Sequence, residues 1–452
     1  MSPALDYRLE TTTAQTTSTT SRRRSRRPVS HERDVGASFS PPRSKMAALI
    51  PRTQLRAATR QGLCAASQAV QVCNYSQKPR IIKNPTTASL RKGTGGRSSF
   101  NGIVCTVFGN SGFMGRYICN RLGKIGTQLI LPYRGDFYQV APLKLCGDLG
   151  QVLFHPFDLR DEESILKCIK YSNVVINLIG CDWETKNFTY DDCHVQGAAR
   201  LARICKQNGV ERFIHVSCLN ASPNPEPILL PEGSKFFKSK WEGESAVRQE
   251  FPDATIIRPA DTYGTEDRFL AYYAHRWRQH FRGIPMYKKG EHTEKQPVWV
   301  GDVAAGIVAA VKDHQSAGRT YQFVGPKRYK LSDLMDWFQE LLRRESVIYG
   351  YRRLDLDMMP LFKLKVTLTE FISPAYPIGY LHWEGLEKEH TSDRIVKGVP
   401  TLEDLGITPV PVDTQLPWEI KPHRYDGSYE DSVGEYPDII PPKPLADKAL
   451  NF

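Results

Sequence analysis

The chain has 452 residues, of which 40% are hydrophobic and 24% charged, so it is long enough for two or three domains and has an ordinary globular composition. Its net charge of +12 comes from the first 100 residues, which carry 18 lysines and arginines and only four acids. The remaining residues carry 43 basic and 45 acidic side chains, which argues against a nucleic-acid-binding surface on the folded part.

The ten cysteines form no CxxC pair and no metal-ligating spacing. Most lie in apolar segments, so we expect small core residues in a reducing compartment and no metal site. No run of about 18 apolar residues is present, and the sequence therefore predicts no membrane-spanning helix.

The first 100 residues contain three segments of different composition. Residues 1–45 are rich in Thr and Ser and then in Arg ("SRRRSRR"), which predicts a disordered extension; a nuclear signal or RNA contact, or a translation start placed too early, are the alternatives. Residues 46–80 begin at a second methionine, space Arg52, Arg56 and Arg60 four apart and contain no acid. This pattern predicts a mitochondrial transit peptide cleaved near Tyr75, with a basic linker as the alternative. Residues 81–100 are predicted to be a linker.

From residue 101 onwards, short apolar runs alternate with amphipathic segments. The runs predict six buried strands at residues 103–108, 127–133, 151–158, 173–180, 212–217 and 254–259. The amphipathic segments predict helices after the first strand and at residues 161–171, 191–208 and 238–249. This alternation predicts an α/β fold, with a doubly wound parallel sheet over residues 101–330.

A glycine loop, "GNSGFMG" at residues 109–115, lies between the first strand and the first helix. Its spacing is G-x-x-G-x-x-G instead of the commoner G-x-G-x-x-G, so the spacing alone is weak evidence. The position of the loop in the first strand–helix turn is what predicts dinucleotide binding. There, bare backbone can approach a pyrophosphate at a helix N-terminus. The dinucleotide-binding residues predicted from this loop are Gly109, Asn110, Ser111, Gly112, Phe113, Met114 and Gly115.

Arg134 follows the second strand, at the place that selects the nucleotide. An acid there usually binds the ribose 2′-hydroxyl of NAD(H), whereas an arginine accommodates the 2′-phosphate of NADP(H). Because Asp136 comes only two residues later, NAD(H) remains the alternative. We expect NADPH as the cofactor. The alternative is that Arg134 is an ordinary surface arginine at a strand end with no role in binding.

Further motifs follow the strands: "FDLRD" (157–161), "NLIG" (177–180), "HVSCLNA" (215–221), "KSKWEGE" (238–244), "IIRPADTYG" (256–264) and "PVWVGDVAAGI" (297–307). With the glycine loop, they make residues 103–324 resemble the extended or atypical short-chain dehydrogenase/reductase family. The resemblance implies a Rossmann fold in which Asp158 and Leu159 meet the adenine. It also implies cofactor contacts from Leu178, Ile179, Gly180, Ser217, Lys240 and Pro259.

Active members of this family use a Ser, a Tyr and a Lys four residues after the Tyr for general acid–base chemistry. The matching positions here are Ser217, Phe236 and Lys240, and phenylalanine has no proton to give. The resemblance therefore implies a cofactor site without a catalytic residue. A phenol from Tyr263, Tyr272 or Tyr273 is the alternative.

Within this family, "VFGNSGFMGRY", "EDRFLAYYA" (266–274) and the predicted transit peptide make the chain resemble the accessory subunits of mitochondrial respiratory complex I. The resemblance implies a tightly held NADPH, the other subunits of complex I as partners, and a place on the matrix side of the inner membrane, outside the electron path. An active NADP-dependent reductase or epimerase and an NADPH redox sensor are the competing hypotheses.

The distal part predicts a smaller C-terminal α/β lobe at residues 331–418, with an amphipathic helix at 331–344. Residues 354–372 are apolar but interrupted by charges, which indicates either core of this lobe or an amphipathic surface for lipid or a partner. Residues 419–452 are Pro-rich and predict an extended tail laid along partner proteins.

Overall fold

The computed structural model describes residues 92–93, 95–343, 351–373, 375–424 and 439–446. The extension at residues 1–45, the transit peptide at residues 46–80 and most of the linker fall outside the described residues, and they stay predictions.

A parallel sheet of seven strands forms the centre of the described chain. The described residues also form three two-stranded sheets. In chain order, the strands of all four sheets are β1 (Val104–Phe108), β2 (Gln128–Tyr133), β3 (Val152–Pro156), β4 (Val174–Asn177), β5 (Arg212–Val216), β6 (Thr255–Pro259), β7 (Thr262–Tyr263), β8 (Ile284–Met286), β9 (Glu294–Lys295), β10 (Val298–Trp299), β11 (Thr320–Phe323), β12 (Tyr329–Lys330) and β13 (Arg353–Asp355). The two-stranded sheets are β10-β7, β12-β9 and β13-β8. The seven-stranded sheet has the order β11-β6-β5-β4-β1-β2-β3, with every pairing parallel. All six predicted strands are confirmed, and so is the α/β fold class.

The seventh strand, β11, is not among the predicted strands because its four residues, TYQF, contain no continuous apolar run. Gln322 is nonetheless buried, since its amide exchanges hydrogen bonds with the backbone of Val396 at 3.2 and 3.1 Å. Val396 lies more than 70 residues further along the chain, so no pattern within the sequence of β11 predicts this contact.

Helices cover both faces of the sheet. In chain order, they are α1 (Phe113–Lys124), α2 (Glu162–Ile169), α3 (Gly197–Gln207), α4 (Lys235–Glu250), α5 (Leu270–Ala274), α6 (Val300–Lys312), α7 (Leu331–Leu342), α8 (Pro360–Ile372), α9 (Trp383–His390) and α10 (Val412–Glu419). Apolar side chains of α1 and α6 pack with one face of the sheet, and those of α2, α3 and α4 pack with the other. The alternation of side chains along each strand supplies both cores, as a doubly wound sheet requires.

Helix boundaries differ from the prediction where side chains cap the backbone. Helix α4 begins at Lys235, three residues early, because the Ser234 hydroxyl accepts the N–H of Phe237. Asp161 lies just before α2 and accepts the N–H of Glu163 at 3.1 Å. The helix predicted at residues 191–208 is wider in its first part, where Asp191–Gln196 is a π-helix that leads into α3.

The C-terminal helices bury apolar side chains, and those of α7 and α10 pack with residues 263–286 from an earlier part of the chain. In α7, Leu334, Trp337 and Leu341 are buried on one face, as the helical spacing predicts. In α8, Phe362 and Val366 are buried among apolar neighbours, which confirms the core interpretation for one face of that helix. Its opposite face is exposed.

None of the helices in the described part of the chain is long and apolar enough to cross a membrane. The described cysteines form no disulfide, and burial raises the pKa of several of them, Cys168 to about 11. Of the five cysteines expected in the core, Cys105, Cys119, Cys168 and Cys205 are buried, as predicted, whereas Cys218 is only half-buried.

Candidate dinucleotide-binding site

The glycine loop is held at the carboxyl end of β1 by its own asparagine. The Asn110 side-chain amide donates to the backbone oxygens of Val107 and Pro132, at 3.0 and 2.6 Å, and is therefore turned into the protein. Asn110 thus fixes the loop instead of facing a ligand. The Gly109 backbone adopts φ +80°, a conformation that favours glycine.

Two glycines of the loop have close neighbours that exclude a side chain. A Cβ at Gly109 would lie 2.9 Å from the carbonyl carbon of Leu178 in the adjacent loop after β4. At Gly115, a Cβ would lie 2.6 Å from the carbonyl oxygens of both Gly109 and Asn110. At Gly112, by contrast, it would meet only one backbone oxygen, at 3.4 Å. Gly109 and Gly115 are therefore required by the fold, whereas Gly112 leaves open backbone on the side of the cavity.

The first turn of α1 is suited to an anion. Gly112 precedes the helix and supplies no capping side chain, and no acid lies in the first turn. The first backbone N–H groups of a helix have no intrahelical partner, and the helix dipole makes this end positive. A pyrophosphate would meet both needs.

A cavity of about 290 Å³ opens beside this turn, across the carboxyl ends of β1, β4, β5 and β6. The predicted cofactor residues that line it are Gly109, Gly112, Phe113, Met114, Gly115, Leu178, Gly180, Ser217, Lys240 and Pro259. Ser111, Arg134 and Asp158 are exposed outside this cavity, Leu159 is buried in the core, and Ile179 is half-buried. The structure thus brings ten of the predicted residues together in one place.

Ser217 and Lys240 are the polar groups at the deep end of the cavity. Among the described residues, the buried hydroxyl of Ser217 has no hydrogen-bond partner, so it is available to a ligand. A Cβ at Gly180 would lie 2.7 Å from the Lys240 ammonium, so the glycine leaves room for that side chain. Burial lowers the pKa of Lys240.

Phe236 lines the cavity together with Lys240. Two ammonium groups lie near its ring: that of Lys240 is 5.9 Å from the ring centroid, and that of Lys388 is 5.3 Å. The ring also packs edge-on against His194 at 5.4 Å. The arrangement retains the lysine that would lower a phenol's pKa but has no hydroxyl at this position.

Tyrosines from another segment do reach the cavity. Tyr272 and Tyr273 line it, whereas Tyr263 is fully buried elsewhere. Burial raises the pKa of all three, which moves each phenol away from the range suited to acid–base work near neutral pH.

Two histidines beneath the cavity are buried and neutral. Burial, together with the nearby Lys240 ammonium, lowers the pKa of His194 to about 2 and that of His215 to about 3. The His194 Nε2 accepts the N–H of Cys181 at 3.2 Å, so its other nitrogen carries the proton toward Ser239 Oγ, 2.8 Å away. Both histidines support the site without facing the ligand.

Several groups at the site lie outside the sequence prediction. Lys388, His382 and Glu389 line the cavity from α9 and the residue before it, more than 140 residues after Lys240. Arg268 also lines the cavity and pairs with Asp182 at 2.9 Å. Only the folded chain brings these side chains to the cavity, and no spacing in the sequence links them to it.

The residues present fit a dinucleotide. The first turn of α1 offers unpartnered N–H groups and the positive end of the helix dipole, and the glycines leave the backbone without side chains there. The unpartnered hydroxyl of Ser217 and the side chain of Lys240 also line the cavity. Within the described residues, no group of His, Cys, Asp or Glu is placed to hold a metal ion.

Comparisons with known proteins agree with this geometry. Residues 105–323 match the family described as the NAD dependent epimerase/dehydratase family. Over 339 residues, the chain is 44% identical to the Mus musculus protein "NADH dehydrogenase (ubiquinone) 1 alpha subcomplex subunit 9, mitochondrial", spanning 75% of this chain and 85% of the mouse protein. Over 345 residues, it is 36% identical to the "NADH-ubiquinone oxidoreductase 40 kDa subunit, mitochondrial" of Neurospora crassa, spanning 76% and 86%.

A solved structure shares the fold. The terminal R domain from the myxalamid PKS-NRPS biosynthetic pathway matches with a TM-score of 0.50 at 15% identity, over 70% of this chain and 90% of that one. Identity this low shows the fold alone.

Proposed function

The chain belongs to the family of the mitochondrial alpha subcomplex subunit 9 proteins of NADH dehydrogenase, and on this basis we propose that it is a non-catalytic accessory subunit of respiratory complex I. In this proposal the chain holds NADPH, lies on the matrix side of the inner membrane, and has the other subunits of complex I as partners. The non-catalytic part is supported by Phe236, which lies near Lys240 in the cavity and has no hydroxyl at the position where the resemblance implies a catalytic tyrosine.

The proposed cofactor would be held by main chain at one end and by side chains at the other. The glycine loop and the first turn of α1 would bind the pyrophosphate, the exposed Asp158 would meet the adenine, and Ser217 and Lys240 would hold the nicotinamide end. A nicotinamide dinucleotide supplies hydride transfer when it is bound in an active enzyme of this kind. Without a phenol at Phe236, the accompanying proton transfer would lose about 10²- to 10⁴-fold of its assistance.

A ligand that is bound and not turned over still stabilises the fold. Because only the folded chain binds it, a nucleotide present at about 1,000 times its Kd contributes about 4 kcal/mol to the free energy of unfolding. That is a large share of a typical domain's stability of roughly 5–15 kcal/mol.

Two measurements test the cofactor proposal. Mass analysis of the nucleotide released from the denatured full chain should identify NADPH, and added NADPH should raise the Tm of nucleotide-free protein more than NADH does. A protein that releases no nucleotide and whose Tm responds to neither would contradict the proposal.

Turnover separates the accessory subunit from an active reductase or epimerase. We expect the wild-type protein not to oxidise NADPH in the presence of aldehydes, ketones or nucleotide sugars. Phe236→Tyr is the matched comparison, since it restores the phenol beside Lys240 with little change in volume. Robust turnover by the wild type would show that Tyr272 or Tyr273 serves instead and would overturn the non-catalytic assignment.

Membership of the complex is tested by fractionation of mitochondria. The chain should comigrate with complex I, with its N-terminus near residue 76 if residues 46–80 are a cleaved transit peptide. A free protein, or one that retains residues 46–75, would contradict the respective part of the proposal. The tail predicted at residues 419–452 is not extended at its start, because Glu419 ends α10 and Ile420 is buried. Deletion of residues 425–452 should therefore weaken assembly and leave nucleotide binding intact.

We further propose that α8 faces the phospholipid surface. Five apolar side chains on its outer side, the apolar face of α8, are 52–84% exposed: Leu361, Leu364, Leu368, Phe371 and Ile372. The Lys365 ammonium donates to the backbone oxygen of Trp277 at 2.7 Å, which ties the neighbouring loop to this helix. That loop adds exposed Trp277 and Phe281.

The exposed Arg276 and Arg282 lie in the same loop. Aromatic and apolar side chains beside cations suit the interface of an anionic bilayer.

Vesicle flotation tests this surface. Leu364→Glu with Leu368→Glu should abolish binding to vesicles that contain anionic lipid and leave the Tm unchanged. The matched control, Leu145→Glu with Leu149→Glu, alters two leucines that are 78% and 104% exposed elsewhere and should bind like the wild type. Equal binding by all three proteins would refute the proposal.

A further inference from the structure

We infer that Lys388 makes the cavity select the reduced form of the nicotinamide, so that the chain binds NADPH more tightly than NADP⁺. The inference rests on the proposed function, because it assigns a role to one more residue at the inner end of the same dinucleotide site. Lys388 lies on α9 and belongs to none of the motifs on which the family resemblance depends.

The Lys388 ammonium lies at the cavity without a counter-ion. It is 5.3 Å from the centroid of the Phe236 ring, and among the described residues it makes no hydrogen bond or ion pair. The Lys240 ammonium is 5.9 Å from the same centroid and is likewise unpaired in the described part of the chain. Two cations therefore lie beside one ring that lines the cavity.

The acids at the cavity are already partnered. Each of the four carboxylates that line it has a cation of its own or shares one: Asp182 has Arg268 at 2.9 Å, Asp261 and Asp393 share Lys295 at 2.6 and 3.9 Å, and Glu389 has Arg278 at 2.6 Å. Lys388 is within electrostatic range of Asp182 and Asp261, but it forms an ion pair with neither. Its charge is therefore not neutralised by a direct partner within the described ranges.

A nicotinamide ring carries a positive charge when it is oxidised and none when it is reduced. In the proposed site, Ser217 and Lys240 hold the nicotinamide end, so the ring would lie in the part of the cavity that Lys388 also lines. At an effective dielectric constant of about 20, two like unit charges about 10 Å apart repel enough to change an equilibrium constant by more than about tenfold. The Lys388 charge should therefore disfavour the oxidised ring.

Selection of the reduced form fits a bound nucleotide that is not turned over. By the thermodynamic cycle, the factor that favours NADPH over NADP⁺ in binding also makes the bound nucleotide a weaker hydride donor by that factor. The lack of a hydroxyl on Phe236 and the charge of Lys388 therefore act in the same direction.

The test measures the Kd of NADPH and of NADP⁺ for the nucleotide-free full chain, by calorimetry at fixed salt. The wild type should bind NADPH at least about tenfold more tightly. Lys388→Met, which keeps a long apolar side chain and removes the charge, should reduce this ratio by about tenfold. A change in the general attraction for an anionic nucleotide cancels in the ratio, because the two probes differ in charge only at the nicotinamide.

Two control variants separate the effect of charge from other effects of substitution. Lys388→Arg keeps the charge and should keep the ratio of the wild type. Lys170→Met removes an ammonium that also lies 5.3 Å from an aromatic ring, that of Tyr171, but near the amino end of β4, whereas the cavity lies at the carboxyl ends of the strands. This variant should leave both affinities unchanged. The Tm of each variant without nucleotide shows that it folds, and Lys388→Gln is the second neutral variant if Lys388→Met does not.

The outcomes distinguish the inference from the proposed function. If the wild type prefers NADPH and the neutral variant keeps that preference, the inference is refuted while the dinucleotide site stands. If the wild type binds both forms equally, or NADP⁺ more tightly, the inference is refuted as well. If it binds neither form, the proposed dinucleotide site is itself wrong, and the inference fails with it.

Discussion

The two buried histidines beneath the cavity should make the protein lose stability in mild acid. His194 and His215 are each 1% exposed, with pKa values lowered to about 2 and about 3. In the unfolded chain, both would titrate at about 6.5. As the pH falls below 6.5, the two imidazoles bind protons in the unfolded state but not in the folded state, so the free energy of unfolding decreases.

The magnitude follows from the shifts. Between pH 7.5 and 5.5 the unfolded imidazole gains about one pKa unit of protonation free energy, about 1.4 kcal/mol, while the folded imidazole gains none. The two histidines together should therefore remove about 3 kcal/mol of stability over this interval.

Urea unfolding of nucleotide-free protein at the two pH values is the assay. His215→Gln should reduce the pH dependence by about 1.4 kcal/mol, and the variant that also carries His194→Gln should reduce it by about twice that amount. The comparison is between pH values, so an overall destabilisation of a variant cancels. His155→Gln, which alters a partly exposed histidine in β3, is the control and should behave like the wild type.

The reasoning is refuted if the double variant and the wild type lose the same stability between pH 7.5 and 5.5. Should the double variant fail to fold, NMR titration of the wild type decides the question. The resonances of His194 and His215 should not move over that range, and movement would show that the buried imidazoles accept protons.

Five further substitutions test the glycine loop, the buried face of α8 and the contact of Glu387 with the loop before α4. Gly115→Ala should lower the Tm even without nucleotide, because its Cβ would meet two carbonyl oxygens at 2.6 Å. Gly112→Ala should fold like the wild type and weaken only NADPH binding, which Tm measurements with and without NADPH will show. Phe362→Ala should cost about 3–5 kcal/mol in urea unfolding because the ring is fully buried, and Phe371→Ala, with a side chain 84% exposed, should cost less than about 0.5 kcal/mol. Glu387→Ala should lower the free energy of unfolding by roughly 3 kcal/mol or more, since this buried carboxylate accepts three backbone N–H groups of the loop before α4. Limited proteolysis should then cut that loop faster, and unchanged cleavage would contradict the role of this contact.

The sequence by itself determined the sheet's first six strands and the glycine loop because their signals are local. A buried parallel strand needs a short apolar run, and the turn after β1 needs glycine where a Cβ at Gly115 would strike the backbone. The prediction that Phe236 stands in place of a tyrosine is equally local, because the resemblance implies a tyrosine and a lysine that lie four residues apart in one segment.

Only the tertiary structure decided which distant groups share the site. Lys388 comes from α9 to the ring of Phe236, although more than 140 residues separate them along the chain. The apolar face of α8 is a further case, since composition alone does not distinguish its buried Phe362 from its exposed Phe371. Periodicity within a segment records which side chains share a face of one element, whereas contacts between elements depend on how the chain folds back on itself.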